Sequence, residues 1–97
     1  MSTEPQLDPG EREDRRLAGF VERSSARVAA LERLVETPVS PSRIARDRSI
    51  DTESAFSALN ALRRQGLVEL YAPENRRKGP IYGLTEKGER VAFYVEQ

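Results

Sequence analysis

Between Ser40 and Lys87 the start and stop signals of helices and strands follow one another so closely that few chain paths satisfy them all. Ser40-Pro41 joins a hydroxyl N-cap to a proline at the first helical position, where its missing N–H costs nothing. Ile44 and Ala45 then face inward, and this helix is expected to end near Arg48. Arg48-Ser49-Ile50 makes a turn, with Ile50 plugging the core. Asp51 or Thr52 caps the next helix, and Glu53 suits its positive end. That helix is expected over residues 52–65, with Ala55, Ala58, Leu59 and Leu62 on one face. Gly66 follows as a left-handed C-cap. The short apolar run Leu67, Val68, Leu70 and Tyr71 reads as a strand. Residues 73–80 form a polar loop, and Ile81, Tyr82 and Leu84 return. Thr85 caps a final helix reaching Val95.

The order is helix, tight turn, helix, hairpin with a basic tip, helix. It predicts a winged helix-turn-helix, mainly α with a small β-hairpin: a three-helix core, a wing and a C-terminal helix. Upstream, Ser24 caps the first firm helix, in which Val28, Leu31, Leu34 and Val35 form a buried stripe. Pro38 ends it, because the residue before a proline avoids the helical region. Leu17, Phe20 and Val21 have helical spacing and suggest a short lead-in element. Residues 1–16 are rich in Pro, Glu, Asp and Arg, too polar to offset ordering entropy, so they are expected to be a disordered tail. The expected division is therefore a tail at 1–16 and one winged-helix domain at 17–97.

Ninety-seven residues suit one domain with a small core. The absence of Cys and His removes disulfides, thiolate or imidazole metal sites and the usual histidine base. No phosphate-cradling glycine loop or nucleophile–base pair is evident, so an enzyme is not expected, nor a metal or other cofactor. No apolar run approaches the roughly 20 residues of a membrane helix, and no signal-peptide core is present, so no membrane partner and a cytoplasmic location are expected. The formal net charge is zero, but its distribution is uneven. Residues 40–80 carry eight bases and five acids, whereas residues 1–16 carry three bases and five acids. The positive excess lies on the helix-turn-helix and wing, the pattern of a nucleic-acid footprint.

On the helix over 52–65, Glu53, Ser57, Asn60 and Arg64 share the face away from the core, with Ser54 beside them. Asn pairs bidentately with adenine, Ser bonds several base edges, and Glu accepts from a cytosine amine, so Glu53, Ser54, Ser57 and Asn60 are candidates for base readout. Ser42, Arg43 and Arg64 are candidates for phosphate contacts, helped by free amides at the helix start. Arg76, Arg77 and Lys78 at the hairpin tip repel one another in isolation. Beside DNA they gain phosphate or minor-groove contacts. Leu17, Phe20 and Phe93 are candidates for a homodimer contact, Phe93 because it points away from the stripe Gly88, Val91, Ala92 and Val95.

Three segments carry a resemblance: SPSRIARD, ALNALRRQGLVEL and RRKGPIYGLTEKGERVAFYV. Over about residues 20–95 the chain resembles winged-helix transcription regulators of the broad MarR/ArsR-like class, especially small archaeal ones. The resemblance implies a sequence-specific double-stranded-DNA-binding repressor or activator, usually dimeric, with the helix over 52–65 in the major groove. The chain departs from that pattern at Arg48, usually Leu, and at Ser49, usually Gly. It also departs at Phe56-Ser57, where Ser and a basic residue are usual. An Arg at an apolar position must snorkel, and a Ser in a left-handed turn costs about 1 kcal/mol. The competing expectation is a winged helix that binds protein as an adaptor or scaffold, since this fold serves both roles. Generic RNA binding lacks the paired aromatics of a base-stacking platform.

Overall fold

Helix α1 (Pro9–Glu22) begins earlier than composition suggests. The computed structural model describes residues 8–72 and 79–95. Asp8 accepts from the Glu11 N–H at 2.8 Å and Pro9 takes the first helical position, a complete local start signal. Asp14, Leu17, Ala18 and Val21 then form a buried stripe. Residues 9–16, expected to be tail, are thus helical. The reason is long-range. Arg90 donates to Asp14 at 3.1 Å across 76 residues of sequence, Lys87 lies 3.9 Å from Glu13, and the Arg15 guanidinium sits 4.7 Å over the Tyr94 ring. Charges that look unburiable in sequence find opposite charges on the last helix, α5 (Glu86–Val95).

Helix α2 (Ser25–Glu36) starts where the Ser24 hydroxyl accepts from Arg27 N–H at 3.3 Å, and stops at extended Thr37 before Pro38. Its buried residues are Ala30, Leu31, Arg33 and Leu34. The expected stripe is therefore rotated: Val28 is half-buried, Val35 is 46% exposed, and Arg33 lies inside. Helix α3 (Pro41–Arg48) is capped by Ser40, and α4 (Thr52–Arg64) by Asp51, whose carboxylate accepts from Ser54 N–H at 2.6 Å. Between them Ser49 is left-handed, with φ of 55°, its N–H closing onto the Ala45 carbonyl. The Arg48 guanidinium, displaced from an apolar role, donates to Glu36 at 2.9 Å.

After Gly66, at φ 77°, strands β1 (Val68–Ala72) and β2 (Ile81–Leu84) pair antiparallel, with Val68 opposite Leu84 and Leu70 opposite Tyr82. The ladder slips between Leu70 and Ala72. Tyr82 also exchanges two backbone hydrogen bonds with Val39, at 2.9 and 3.1 Å, which fastens the α2–α3 connection to the hairpin. Leu17, Val21, Leu31, Ile44, Leu59, Leu62, Leu67, Val68 and Val91 fill one core. The arrangement is the expected one, mostly helical with a two-stranded wing.

Leu17 is fully buried in this core, which removes it from the candidate dimer contact. Phe20 is half-buried, with the Arg27 guanidinium 4.0 Å over its ring, while Phe93 is 64% exposed. The start of α5 is set by Thr85, whose hydroxyl donates to Gly66 O at 2.6 Å and accepts from Gly88 N–H at 2.9 Å. Gly88 lies against the Leu67 backbone so closely that a Cβ would overlap the carbonyl oxygen. By contrast a Cβ at Gly19 in α1 meets nothing within 4 Å. Gly88→Ala is therefore expected to lower stability by about 1–3 kcal/mol, and Gly19→Ala to raise it by about 0.5–1 kcal/mol. Urea unfolding midpoints check both signs; equal shifts would contradict the packing of α5 on the strand.

Candidate nucleic-acid interface

Ala55, Ala58, Leu59 and Leu62 anchor the inner side of α4, and the turns between these positions necessarily face outward. Glu53, Ser57, Asn60 and Arg64 are exposed there, and Ser54 is half-buried. Phe56 and Arg63 flank them, also exposed. The α4 start is held by the Asp51 cap, so the first turn, which carries Glu53 and Ser54, is fixed rather than frayed. Glu53, Ser54 and Ser57 border a polar recess of about 430 Å3 against Ser24 and Arg27 at the start of α2.

A second recess of about 310 Å3 opens at the start of α3, between that helix and Ile81 of the wing. Ser40, Ser42, Arg43 and Arg46 line it. Ser42 and Arg43 were expected at such a place. Arg46 was not, although its spacing of three from Arg43 puts it on the same helix face. The recess places Ser40, Ser42, Arg43 and Arg46 beside the apolar Pro38, Val39 and Ile81.

Arg43 is not free. Its Nε donates to Asp47 Oδ2 at 3.0 Å, and the same oxygen accepts from Arg33 Nε at 2.9 Å. These two arginines, Arg33 first, hold the Asp47 carboxyl below the usual carboxylate range. Asp47 and Arg33 went unrecognised in sequence. The available signal was the place of Arg33 at the edge of the inward stripe, three residues after Ala30 and one before Leu34. Arg76, Arg77 and Lys78 lie outside the described residues. The structure thus brings Ser42 and Arg43 together at one recess, and Glu53, Ser54, Ser57, Asn60 and Arg64 along one helix. Among the described residues no group of three or more carboxylates marks a metal site, and no helix is long and apolar enough to cross a membrane.

Asp51 accepts first from the Ser54 backbone N–H and then from its hydroxyl, and both lower its pKa below the ordinary 3.8. A carboxylate whose folded pKa is depressed stabilises the fold above the unfolded value, and that stabilisation is lost as pH falls through the folded value. Asp47 has the same sign. Thermal midpoints are expected to be level above about pH 5 and to fall below it. Asp51→Asn, which keeps a capping oxygen, is expected to flatten part of that acid limb; an unchanged limb would remove Asp51 from it.

The sequence matches no protein-family model and no curated protein. Its fold matches solved structures. NMB1585, a MarR family regulator from Neisseria meningitidis, is 24% identical, with a TM-score of 0.66 over 80% of this chain and 56% of that one. ZitR from Lactococcus lactis is 27% identical, with a TM-score of 0.64 over 72% of this chain and 48% of that one. A MepR variant from S. aureus, solved bound to an oligodeoxyribonucleotide, is 14% identical, with a TM-score of 0.66 over 90% of this chain and 65% of that one. The chain spans about half the length of NMB1585 and ZitR. The fold is the winged helix-turn-helix of MarR family transcription regulators.

Proposed function

We propose that the chain is a transcription regulator that reads double-stranded DNA, with α4 in the major groove and the wing on the flanking backbone or minor groove. The outward face of α4 is the observation that carries this reading: small polar groups on a helix whose other side is locked in the core. In this role Asn60 pairs with adenine, Ser54 and Ser57 bond base edges, and Glu53 accepts from cytosine. Ser42, Arg43 and Arg64 fix the register on phosphates, as the first helix of a helix-turn-helix crosses the backbone. Arg76, Arg77 and Lys78 supply the electrostatics of the wing. The MepR variant bound to an oligonucleotide on the same fold supports the assignment.

Fluorescence anisotropy on a generic duplex across a salt series tests it. Wild type is expected to bind with a steep salt dependence. The combined Arg76→Ala, Arg77→Ala, Lys78→Ala variant should lose about 0.9 of slope for each phosphate contact removed. Asn60→Ala should cost about 1–3 kcal/mol on the preferred site and little on random DNA. No binding at low salt would sink the proposal.

Phe93 is proposed as a homodimer contact, which pairs two half-sites about one helical turn apart. Val35, Tyr71 and Phe93, all exposed, line one groove of about 400 Å3 with Pro38 and Leu84. These exposed apolar side chains are also what favours the second reading, a winged helix that binds another protein. Sedimentation equilibrium separates the two. A dimer that Phe93→Ala converts to monomer supports self-association, and a monomeric wild type points to a different partner.

A further inference from the structure

Asp47 uses one oxygen to hold two arginines that belong to different worlds. Arg33, on α2, has a side chain only 8% exposed, while that of Arg43, on α3, is 51% exposed. Arg33 Nε reaches Asp47 at 2.9 Å, and its Nη1 lies 3.8 Å from Glu36, without a hydrogen-bond partner among the described residues. A guanidinium enclosed in this way cannot swing into solvent, so it fixes the Asp47 carboxylate from the core side. Asp47 in turn fixes Arg43 from the helix side, one turn away along α3.

The choice of atom matters. The guanidinium is a rigid planar fork with five N–H donors. Bonding through Nε sets the plane of the fork and leaves the four N–H groups on the two Nη atoms for another acceptor. Arg43 also lines the recess at the start of α3, beside Ser42 and Arg46. A flexible arginine must be ordered each time it takes a phosphate, whereas one held in advance loses less freedom on binding.

We propose that Asp47 and Arg33 are positioning residues for DNA: together they hold the Arg43 fork in the orientation in which it takes a backbone phosphate at the α3 recess. The inference rests on the DNA-binding reading of this face. It makes a counterintuitive claim, because Asp47 is an acid beside a phosphate site. Charge alone predicts that removing it tightens binding; orientation predicts the reverse.

The test uses the full chain and the same anisotropy salt series with Asp47→Asn, Arg43→Ala and their double variant. Asn keeps the side-chain shape but removes the charge that lets one oxygen hold two guanidinium groups. Asp47→Asn is expected to weaken binding about tenfold at low salt, the scale of one charge-assisted hydrogen bond. It should also make the salt slope shallower by about one contact. In the Arg43→Ala background the same substitution should change affinity less than about twofold, since nothing remains to orient. A purely structural role predicts the same loss in both backgrounds and would overturn the inference, as would tighter binding by Asp47→Asn. If that variant does not fold, Arg43→Lys decides. It keeps the charge and lacks the fork, so binding close to that of Arg43→Ala supports positioning and wild-type affinity refutes it. Failure of wild type to bind any duplex is the distinct outcome that removes the DNA reading itself.

Discussion

Ala55, Ala58, Leu59 and Leu62 lose nearly all solvent contact on the inner face of α4, and the rest of the molecule is arranged around that loss. Leu59 and Leu62 are fully buried, worth about 1.5–3 kcal/mol each relative to exposure. The two alanines matter for the opposite reason. Their small side chains let α2 and α3 approach the helix, so that α4 is clamped along one side. A helix clamped along one side has no choice about what its other side presents. Glu53, Ser57, Asn60 and Arg64 are outward because the hydrophobic residues between them are inward. Pre-organisation of the proposed reading face is thus a by-product of core packing.

Electrostatics supplies the second layer. Arg43, Asp47, Arg33, Glu36 and Arg48 alternate in sign and run from the start of α3 through α2 to the end of α3. Exposed pairs of this kind contribute little to stability alone. Arg33 differs because it is enclosed, and a buried charge that loses its partner is costly. The chain of charges therefore acts less as glue than as a constraint on where α3 and its arginines sit. The same holds at the other end of the molecule, where Asp14 meets Arg90 and ties α1 to α5.

Much of the fold was legible because its punctuation is local. Ser24, Ser40, Asp51 and Thr85 each cap a helix within three residues of themselves, and Gly66 takes the left-handed turn that follows α4. Such signals need only the neighbouring backbone, so sequence reasoning finds them. Ser49 was legible in the same way, as a left-handed residue that is not glycine. The outward residues of α4 followed from a period of 3.6 and one apolar stripe.

Other features were not legible, and each depends on a partner far along the chain. Residues 9–16 look like a solvated tail by composition despite the local Asp8-Pro9 start signal, and α5 supplies the opposite charges and aromatic ring that hold them as a helix against the core. Leu17 has the appearance of an unclaimed apolar residue until the packing of α1 encloses it in the core. Arg33 and Val35 sit at opposite edges of the α2 stripe, yet the second is exposed and the first buried. The pattern fixes the width of a stripe, and the elements packed on it fix which edge is covered. The sequence by itself determined the elements from α2 to α5, their order, the winged-helix class and the polar face of α4, because hydrogen bonding and periodicity act over a few residues. Only the tertiary structure decided that α1 belongs to the core, that Arg33 is enclosed, and that Asp47 holds Arg43, because burial and ion pairing are properties of neighbours in space.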